Sequence, residues 1–93
     1  MIACDGGRCT VQGTITLESV VSLLAQGNGL FAAPQVTVDL AAVTEVDSSA
    51  LSLLLEWRRE AVRNGRAIRY LNLPANLKSL ADLYGVTELL GEG

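Results

Sequence analysis

Apolar and polar residues alternate in three stretches of the chain, and this period of two is typical of β-strands. The first stretch, residues 1 to 11, holds two short apolar segments around the sequence DGGR, whose glycines suit a tight hairpin turn. In residues 36 to 40, VTVDL, apolar side chains occupy every second position. Residues 67 to 73, AIRYLNL, form the third stretch. The pattern predicts an antiparallel hairpin and two further strands.

The first predicted helix lies between the hairpin and the strand at residues 36 to 40. Gly13 provides a turn before it, Thr16 can act as its N-cap, and Gly27 can end it in a left-handed conformation. Apolar residues then recur at the spacing of one helical face: Leu17, Val20, Val21, Leu24 and Ala25. This face is expected to point toward the core.

A second helix is predicted from about Ser48 to Asn64, where Gly65 ends it. Residues 41 to 46, which precede its first turn, are interpreted as a linker. The charged residues of this helix lie three apart with opposite signs, which indicates a solvated face more than a binding site: Glu56 with Arg59, and Glu60 with Arg63.

A third helix is predicted to begin at Pro74 and to end at Gly85. Its apolar stripe consists of Leu77, Leu80, Ala81 and Tyr84. The pattern leaves open whether Tyr84 packs in the core or faces a partner, since its hydroxyl needs a hydrogen-bond partner or water. The tail has room for one short apolar strand or turn before a glycine-rich end that is expected to fray.

The order of these elements predicts one α/β domain over residues 1 to 93. A strand, a helix and a following strand make a right-handed crossover, which places the later strands parallel in one sheet. We therefore expect a mixed sheet of about four to five strands alternating with helices. The chain has 93 residues, of which 49% are hydrophobic, so it can bury one core and no second domain.

Charge and hydropathy narrow the possible partners. The net charge of −3 argues against nucleic acid, because binding to phosphates requires clustered Lys and Arg. No apolar run reaches the roughly 18 residues that span a bilayer, and the start, MIACDGGRC, lacks the features of a signal peptide. We expect a cytoplasmic protein without direct membrane insertion.

Cys4 and Cys9 form an isolated pair in a chain without histidine, so thiolates and imidazoles cannot supply four ligands for zinc. Two small, buried, reduced side chains are expected, with a disulfide or a functional thiol as alternatives. The lack of histidine also removes the usual general base, and Lys78 is the only lysine. We expect neither an enzyme nor a metal or other cofactor.

The sequence VDSSALSLLLEW, residues 46 to 57, places one acid and two hydroxyls before a strongly apolar helix. Asp47 or Ser48 can cap that helix, and this role alone would explain these residues. A catalytic serine is disfavoured because a base is missing. A phosphate on Ser48 would meet the positive end of the helix dipole but would be repelled by Asp47, a conflict that suits a switch.

Residues 39 to 57, DLAAVTEVDSSALSLLLEW, resemble the STAS family, which includes domains of sulphate transporters and anti-sigma-factor antagonists. In that family a strand ends in Asp-Leu, and Asp-Ser-Ser or Asp-Thr begins the next helix after a short loop. The similarity extends from about Val11 to Leu90. The LLLEW sequence at 53 to 57 and LADLYGV at 80 to 86 are most similar to the cytoplasmic STAS subunit of Mla phospholipid-transport ABC complexes, the toluene-tolerance type.

The resemblance implies a non-enzymatic accessory subunit that binds the ATPase of an Mla complex and thereby lies at the inner membrane, where the complex maintains outer-membrane lipid asymmetry. It implies a phosphorylation-type switch position at Ser48. The implied docking surface comprises Val46, Asp47, Ser48, Ser49, Leu51, Ser52, Glu56 and Arg59.

Two other functions remain open. The first is an anti-sigma-factor antagonist that binds an anti-sigma kinase and is controlled by phosphorylation of Ser48. Antagonists often have a glycine after the second hydroxyl residue, whereas this chain has Ala50. The second is a small-molecule module with an apolar pocket beneath Trp57 and Leu54, which is less favoured because a helical Trp more often packs in a core or interface.

Overall fold

Two β-sheets and three α-helices form the part of the chain that the computed structural model describes, residues 1 to 90. The strands are β1 (Ile2–Asp5), β2 (Arg8–Val11), β3 (Gly13–Ile15), β4 (Gln35–Asp39), β5 (Val43–Val46) and β6 (Ala67–Leu71). The helices are α1 (Val20–Leu30), α2 (Ser48–Arg63) and α3 (Ala75–Leu83), and a short 3₁₀ helix follows at Thr87–Leu90.

The larger sheet has the strand order β1-β2-β4-β6. Strands β1 and β2 form the predicted antiparallel hairpin, with Gly6 and Gly7 at positive φ in its turn. Strands β2, β4 and β6 are parallel, as the crossover rule predicts. The predicted mixed α/β fold is therefore confirmed.

The smaller sheet, β3 paired in parallel with β5, was not predicted. The sequence pattern placed only a turn at Gly13 and a linker at residues 41 to 46. These strands are three and four residues long and carry exposed polar side chains such as Thr14 and Glu45, so they show too little alternation to be recognised. Their pairing brings the end of β5 beside Ile15 and so fixes where α2 starts.

Helix α2 is the centre of the packing, because it contacts α1, α3 and β6. Six of its residues are buried: Ala50, Leu51, Leu53, Leu54, Trp57 and Ala61. The Trp57 ring meets Phe31 edge-on, with 4.9 Å between ring centroids. From the sheet, alternate residues such as Val36, Val38 and Tyr70 enter the same core. Burial on one side of each strand explains the alternation seen in the sequence.

Helix α1 differs from its prediction at both ends. It begins after Ser19 rather than at Thr16, and it continues through Gly27 to Leu30. Leu17 and Val21 are each 76% exposed, whereas Val20 and Leu24 pack against the core, so the predicted apolar face points inward only in part. Gly27 is buried within the helix, where a Cβ would lie 2.7 Å from Cε2 of Trp57. This glycine serves close helix packing and not helix termination.

Helix α2 matches its prediction within one residue, and both predicted ion pairs form. Nη1 of Arg59 lies 3.1 Å from Oε2 of Glu56, and Nη1 of Arg63 lies 2.5 Å from Oε1 of Glu60. Gly65 follows the helix at a φ of 69°, as expected of a glycine that ends a helix. These exposed pairs stabilise the helix only slightly.

Helix α3 buries Leu77 and Ala81 of its predicted stripe, while Tyr84 lies just beyond its end and is 60% exposed. Gly85 follows with a φ of 69°. The predicted short element of the tail is the 3₁₀ helix, and its Leu90 is buried. The predicted fraying of the glycine-rich end concerns residues 91 to 93, which lie outside the described residues.

Cys4 and Cys9 form a disulfide, so the expectation of two reduced cysteines is wrong. The two residues lie directly opposite each other across β1 and β2. Met1 and Gln12 exchange backbone hydrogen bonds in the same ladder, so the alternation of the ladder makes Cys4 and Cys9 a non-hydrogen-bonded pair. Such pairs bring the two backbones closest together, and here the Cα atoms are 4.0 Å apart.

Candidate functional site

The residues singled out by the sequence lie where β5 ends and α2 begins. The backbone N–H of Asp47 donates to the carbonyl oxygen of Ile15 at 3.2 Å, which joins this point to β3. The N-terminal turn of α2 is thereby held at the edge of the smaller sheet. Its free N–H groups give this end of the helix a partial positive charge.

Asp47 is the N-cap of α2, as one of the two sequence alternatives predicted. Its Oδ1 accepts a hydrogen bond from the Ser49 backbone N–H at 2.8 Å and another from the Ser49 hydroxyl. Its Oδ2 accepts from the backbone N–H of Leu17 at 3.0 Å. The Ser49 hydroxyl, followed by the Leu17 and Ser49 N–H groups, lowers the pKa of this carboxyl group. Asp47 therefore stays ionised and joins two loops.

Ser48 is the first residue of α2 and is exposed. Its hydroxyl makes no hydrogen bond with any residue in the described part of the chain, in contrast to the hydroxyl of Ser49. A group attached to Ser48 would therefore enter solvent and displace nothing from the core. The adjacent carboxylate of Asp47 would oppose a negative group there.

Four of the predicted docking residues share the exposed face of α2: Ser48, Ser52, Glu56 and Arg59. Their spacing of three or four residues matches the helical period. The other four are placed differently. Asp47 is exposed and occupied by capping, Val46 and Ser49 are partly buried, and Leu51 is only 5% exposed and belongs mainly to the core. The structure thus brings Val46, Asp47, Ser48, Ser49 and Ser52 together at the start of α2, with Leu51 beneath the surface, whereas Glu56 and Arg59 lie further along the helix.

Two grooves adjoin this end of α2. The larger is an open groove of about 520 Å³ lined by Ser48, Ser49, Leu51, Ser52, Leu55, Tyr84 and Val86. The smaller, of about 410 Å³, is lined by Thr14, Thr16, Leu17, Glu18, Glu45 and Asp47. Since Asp47 bonds both Leu17 and Ser49, the two grooves meet at residues 47 to 49.

Sequence reasoning missed the contributions of Leu17, Tyr84 and Val86 to this surface. These residues come from segments before α1 and after α3, at least 30 positions from Asp47, and only the fold brings them together. The sequence pattern assigned Leu17 to the inward face of α1, and the structure corrects this. Leu17 precedes the true helix start, so its apolar side chain is not part of an inward face.

The pocket predicted beneath Trp57 and Leu54 has a limited counterpart. A cavity of about 90 Å³ adjoins Trp57, together with Gly27, Phe31 and other residues, but Leu54 does not line it. Trp57 is 1% exposed and Leu54 is completely buried. Trp57 therefore acts mainly as a core residue, the role the sequence favoured.

Within residues 1 to 90, no helix is both long and apolar enough to cross a bilayer. The longest, α2, has 16 residues and carries charges along one side.

Solved structures share this fold at low sequence identity. The anti-sigma factor antagonist SpoIIAA in its unphosphorylated form aligns with a TM-score of 0.76 and 15% identity, over 100% of this chain and 86% of that one. The Bacillus cell fate determinant SpoIIAA in its phosphorylated form aligns with a TM-score of 0.71 and 15% identity, over 100% and 89%. These matches show the fold.

A third structure, of Mglu, aligns with a TM-score of 0.64 and 20% identity over 81% of this chain but only 20% of Mglu. No curated protein matches the chain by sequence. A family model described as "Mlab, STAS domain" matches residues 4–91, nearly the whole sequence. The predicted family is thereby confirmed, and the chain belongs to the STAS domain family described as Mlab.

Proposed function

We propose that this protein is a non-enzymatic docking subunit that binds the nucleotide-hydrolysing subunit of a phospholipid-transport ABC complex of the Mla type. The observation that carries the proposal is the exposed face of α2, which starts at an unengaged Ser48 and continues through Ser52 to Glu56 and Arg59. The family description, which includes the word Mlab, favours this partner.

In the proposed complex, the ATPase covers the Ser48 end of α2 and the larger groove beside it. The small side chains of Ser48 and Ser52 allow a partner backbone or side chain to approach closely, while Leu51 and Leu55 supply apolar area at the bottom of the groove. A negative charge at Ser48 would be buried in this contact next to Asp47, and it would weaken the binding of the ATPase. The protein would then regulate or stabilise the ATPase without taking part in its chemistry.

Binding to this ATPase would keep the protein in the cytoplasm and attach it to the inner membrane through the complex. This localisation is part of the proposal. Disulfides persist mainly in oxidising compartments, so a cytoplasmic location predicts that the Cys4–Cys9 bond seen in the structure is reduced in the cell for most of the time. Alkylation of intact cells, followed by mass spectrometry of the peptide that holds both residues, measures this directly.

The test of the function is co-purification with the ATPase subunit encoded by the same organism, followed by ATP turnover with and without this protein. We expect a stable complex and altered turnover. If the two proteins do not associate at low or moderate salt, the docking function is wrong.

A second candidate is an antagonist of an anti-sigma factor, controlled by phosphorylation of Ser48. It is favoured by the fold shared with SpoIIAA, whose structure is known in unphosphorylated and phosphorylated forms, and by the exposure of Ser48. It predicts stoichiometric phosphate transfer from ATP to Ser48 by an anti-sigma kinase. A Ser48→Ala control should take up none, and failure of the unaltered protein to take up phosphate would remove this candidate.

A further inference from the structure

The grooves around residues 47 to 49 carry exposed apolar side chains at their rims. Leu17 is 76% exposed at the smaller groove, and Tyr84 is 60% exposed at the larger one. Val21, also 76% exposed, lies in the first turn of α1, four residues after Leu17. Apolar area that gathers at one end of a small domain marks an interaction surface more strongly than isolated apolar residues do.

The same end is acidic. Glu18, Glu45 and Asp47 line the smaller groove, and Asp82 and Glu88 lie within two residues of Tyr84 and Val86. Glu18, Glu45 and Glu88 form no ion pair or hydrogen bond within residues 1 to 90. Their charges are thus available to a partner.

Neither groove has a Lys or Arg in its lining. Arg8, Arg59 and Arg63 each pair with a carboxylate, and Arg66 donates to the Phe31 carbonyl oxygen at 2.7 Å. Arg63 and Arg66 flank the far end of α2, whose 16 residues extend for about 24 Å. That distance is more than twice the Debye length of about 10 Å at 0.1 M salt, so these arginines do not offset the acidic end.

We propose that the partner protein presents an apolar centre surrounded by Lys and Arg, which meet Glu18, Glu45 and the acids beside Tyr84. This inference rests on the proposed docking function and names the chemistry of the ATPase surface that fits. The acidic rim disfavours nucleic acids and anionic lipid surfaces, which carry charge of the same sign. Charge complementarity of this kind acts mainly on the rate of association.

The experiment compares association of the ATPase subunit with the unaltered protein and with Glu18→Gln/Glu45→Gln, by a surface-binding assay at about 0.1 M and about 1 M salt. At the lower salt we expect association to slow by about five- to tenfold in the variant, and the difference to shrink at the higher salt. The stronger variant Glu18→Lys/Glu45→Lys should slow association further.

The matched control is Ala3→Lys/Gln35→Lys, which changes the net charge by the same amount at exposed residues that line neither groove. It should associate at nearly the unaltered rate. Thermal unfolding of each variant checks that it is folded. Equal slowing in the control, or unchanged association in the Glu variants, would overturn the basic-rim inference while leaving the docking function intact. No binding by the unaltered protein at either salt concentration would contradict both.

Discussion

Asp47 shows how one side chain can organise the surface that we propose for docking. Its two carboxylate oxygens hold the first turn of α2 and the loop before α1, so they set the distance between Ser48 and Leu17. The sequence predicted the cap, because an acid before an apolar helix is a strong local signal. It could not predict the bond to Leu17, which joins residues 30 positions apart.

The capping carboxylate also predicts a dependence of stability on pH. The pKa of Asp47 is lower in the folded protein than in the unfolded chain, because the Ser49 hydroxyl and the Leu17 and Ser49 N–H groups favour its ionised form. Its contribution to stability is therefore present above the unfolded pKa of about 3.9 and is lost as pH falls through the folded pKa.

Urea unfolding of the unaltered protein and of Asp47→Asn, at neutral pH and near pH 3, tests this contribution. The variant should be less stable at neutral pH, and the difference should narrow in acid. Asp5→Asn, which neutralises an exposed carboxylate of the hairpin, is the control and should cost little stability at neutral pH. A constant difference between Asp47→Asn and the unaltered protein at both pH values would contradict this role.

Tyr70 makes a buried hydrogen bond that sequence patterns cannot reveal. Its hydroxyl donates to the Leu54 carbonyl oxygen at 2.7 Å, and burial raises its pKa, so the phenol stays neutral. Tyr70→Phe should lower the free energy of unfolding by about 1 kcal/mol. Tyr84→Phe removes an exposed hydroxyl and should change it by less than about 0.5 kcal/mol. Equal effects in urea unfolding would show that the Tyr70 hydrogen bond does not stabilise the fold.

At the scale of elements, the contact between α1 and α2 depends on a glycine. Gly27 lets the α1 backbone lie against the indole of Trp57, which is 1% exposed and packed against Phe31. The sequence suggested a helix end at this glycine, because glycine commonly occupies that position. Only the tertiary contact shows its actual role.

A pair of substitutions in α1 separates helix propensity from packing. Gly27→Ala would place its Cβ against Nε1 of the Trp57 ring and 2.7 Å from Cε2, so we expect a loss of about 1 to 3 kcal/mol from overpacking. Gly29→Ala has nothing within 4 Å of its Cβ and should stabilise the protein by about 0.5 to 1 kcal/mol. Thermal or urea unfolding measures both. A stabilising Gly27→Ala would mean that α1 and Trp57 can separate at little cost.

The elements that the sequence predicted well are those with strong periodicity or clear end signals. Helix α2 has apolar residues at helical spacing, an acid at its start and Gly65 at its end, and it matched within one residue. Strands β3 and β5 have neither long alternation nor turn signals at both ends. They form because their backbones pair with each other, a long-range contact that local patterns do not encode.

For the whole molecule, the disulfide links stability to redox conditions. Cys4 and Cys9 close a short loop, and the chain-entropy model gives a stabilisation of about 2 kcal/mol for such a loop. Reduction by dithiothreitol should lower the free energy of unfolding by about this amount. A Cys4→Ala/Cys9→Ala variant should not respond to the reductant. If reduction leaves the unaltered protein equally stable, the hairpin does not depend on the bond.

The STAS fold could be predicted from the Asp-Leu and Asp-Ser-Ser elements and the order of strands and helices. The complete surface proposed for docking could not, because Leu17, Tyr84 and Val86 reach it from two segments that are distant in the sequence. The charge asymmetry also emerges only in three dimensions, since acids and arginines are interspersed along the sequence.

The central claim, that the Ser48 end of α2 binds an ABC ATPase, is tested most directly by the affinity of Ser48→Glu for that ATPase. Ser48→Ala should bind as tightly as the unaltered protein, and Ser79→Glu, which adds the same charge on the exposed side of α3, should also bind normally. We expect Ser48→Glu to bind at least about tenfold more weakly, which corresponds to about 1.4 kcal/mol. Equal affinity of Ser48→Glu and the unaltered protein would contradict the proposed docking surface.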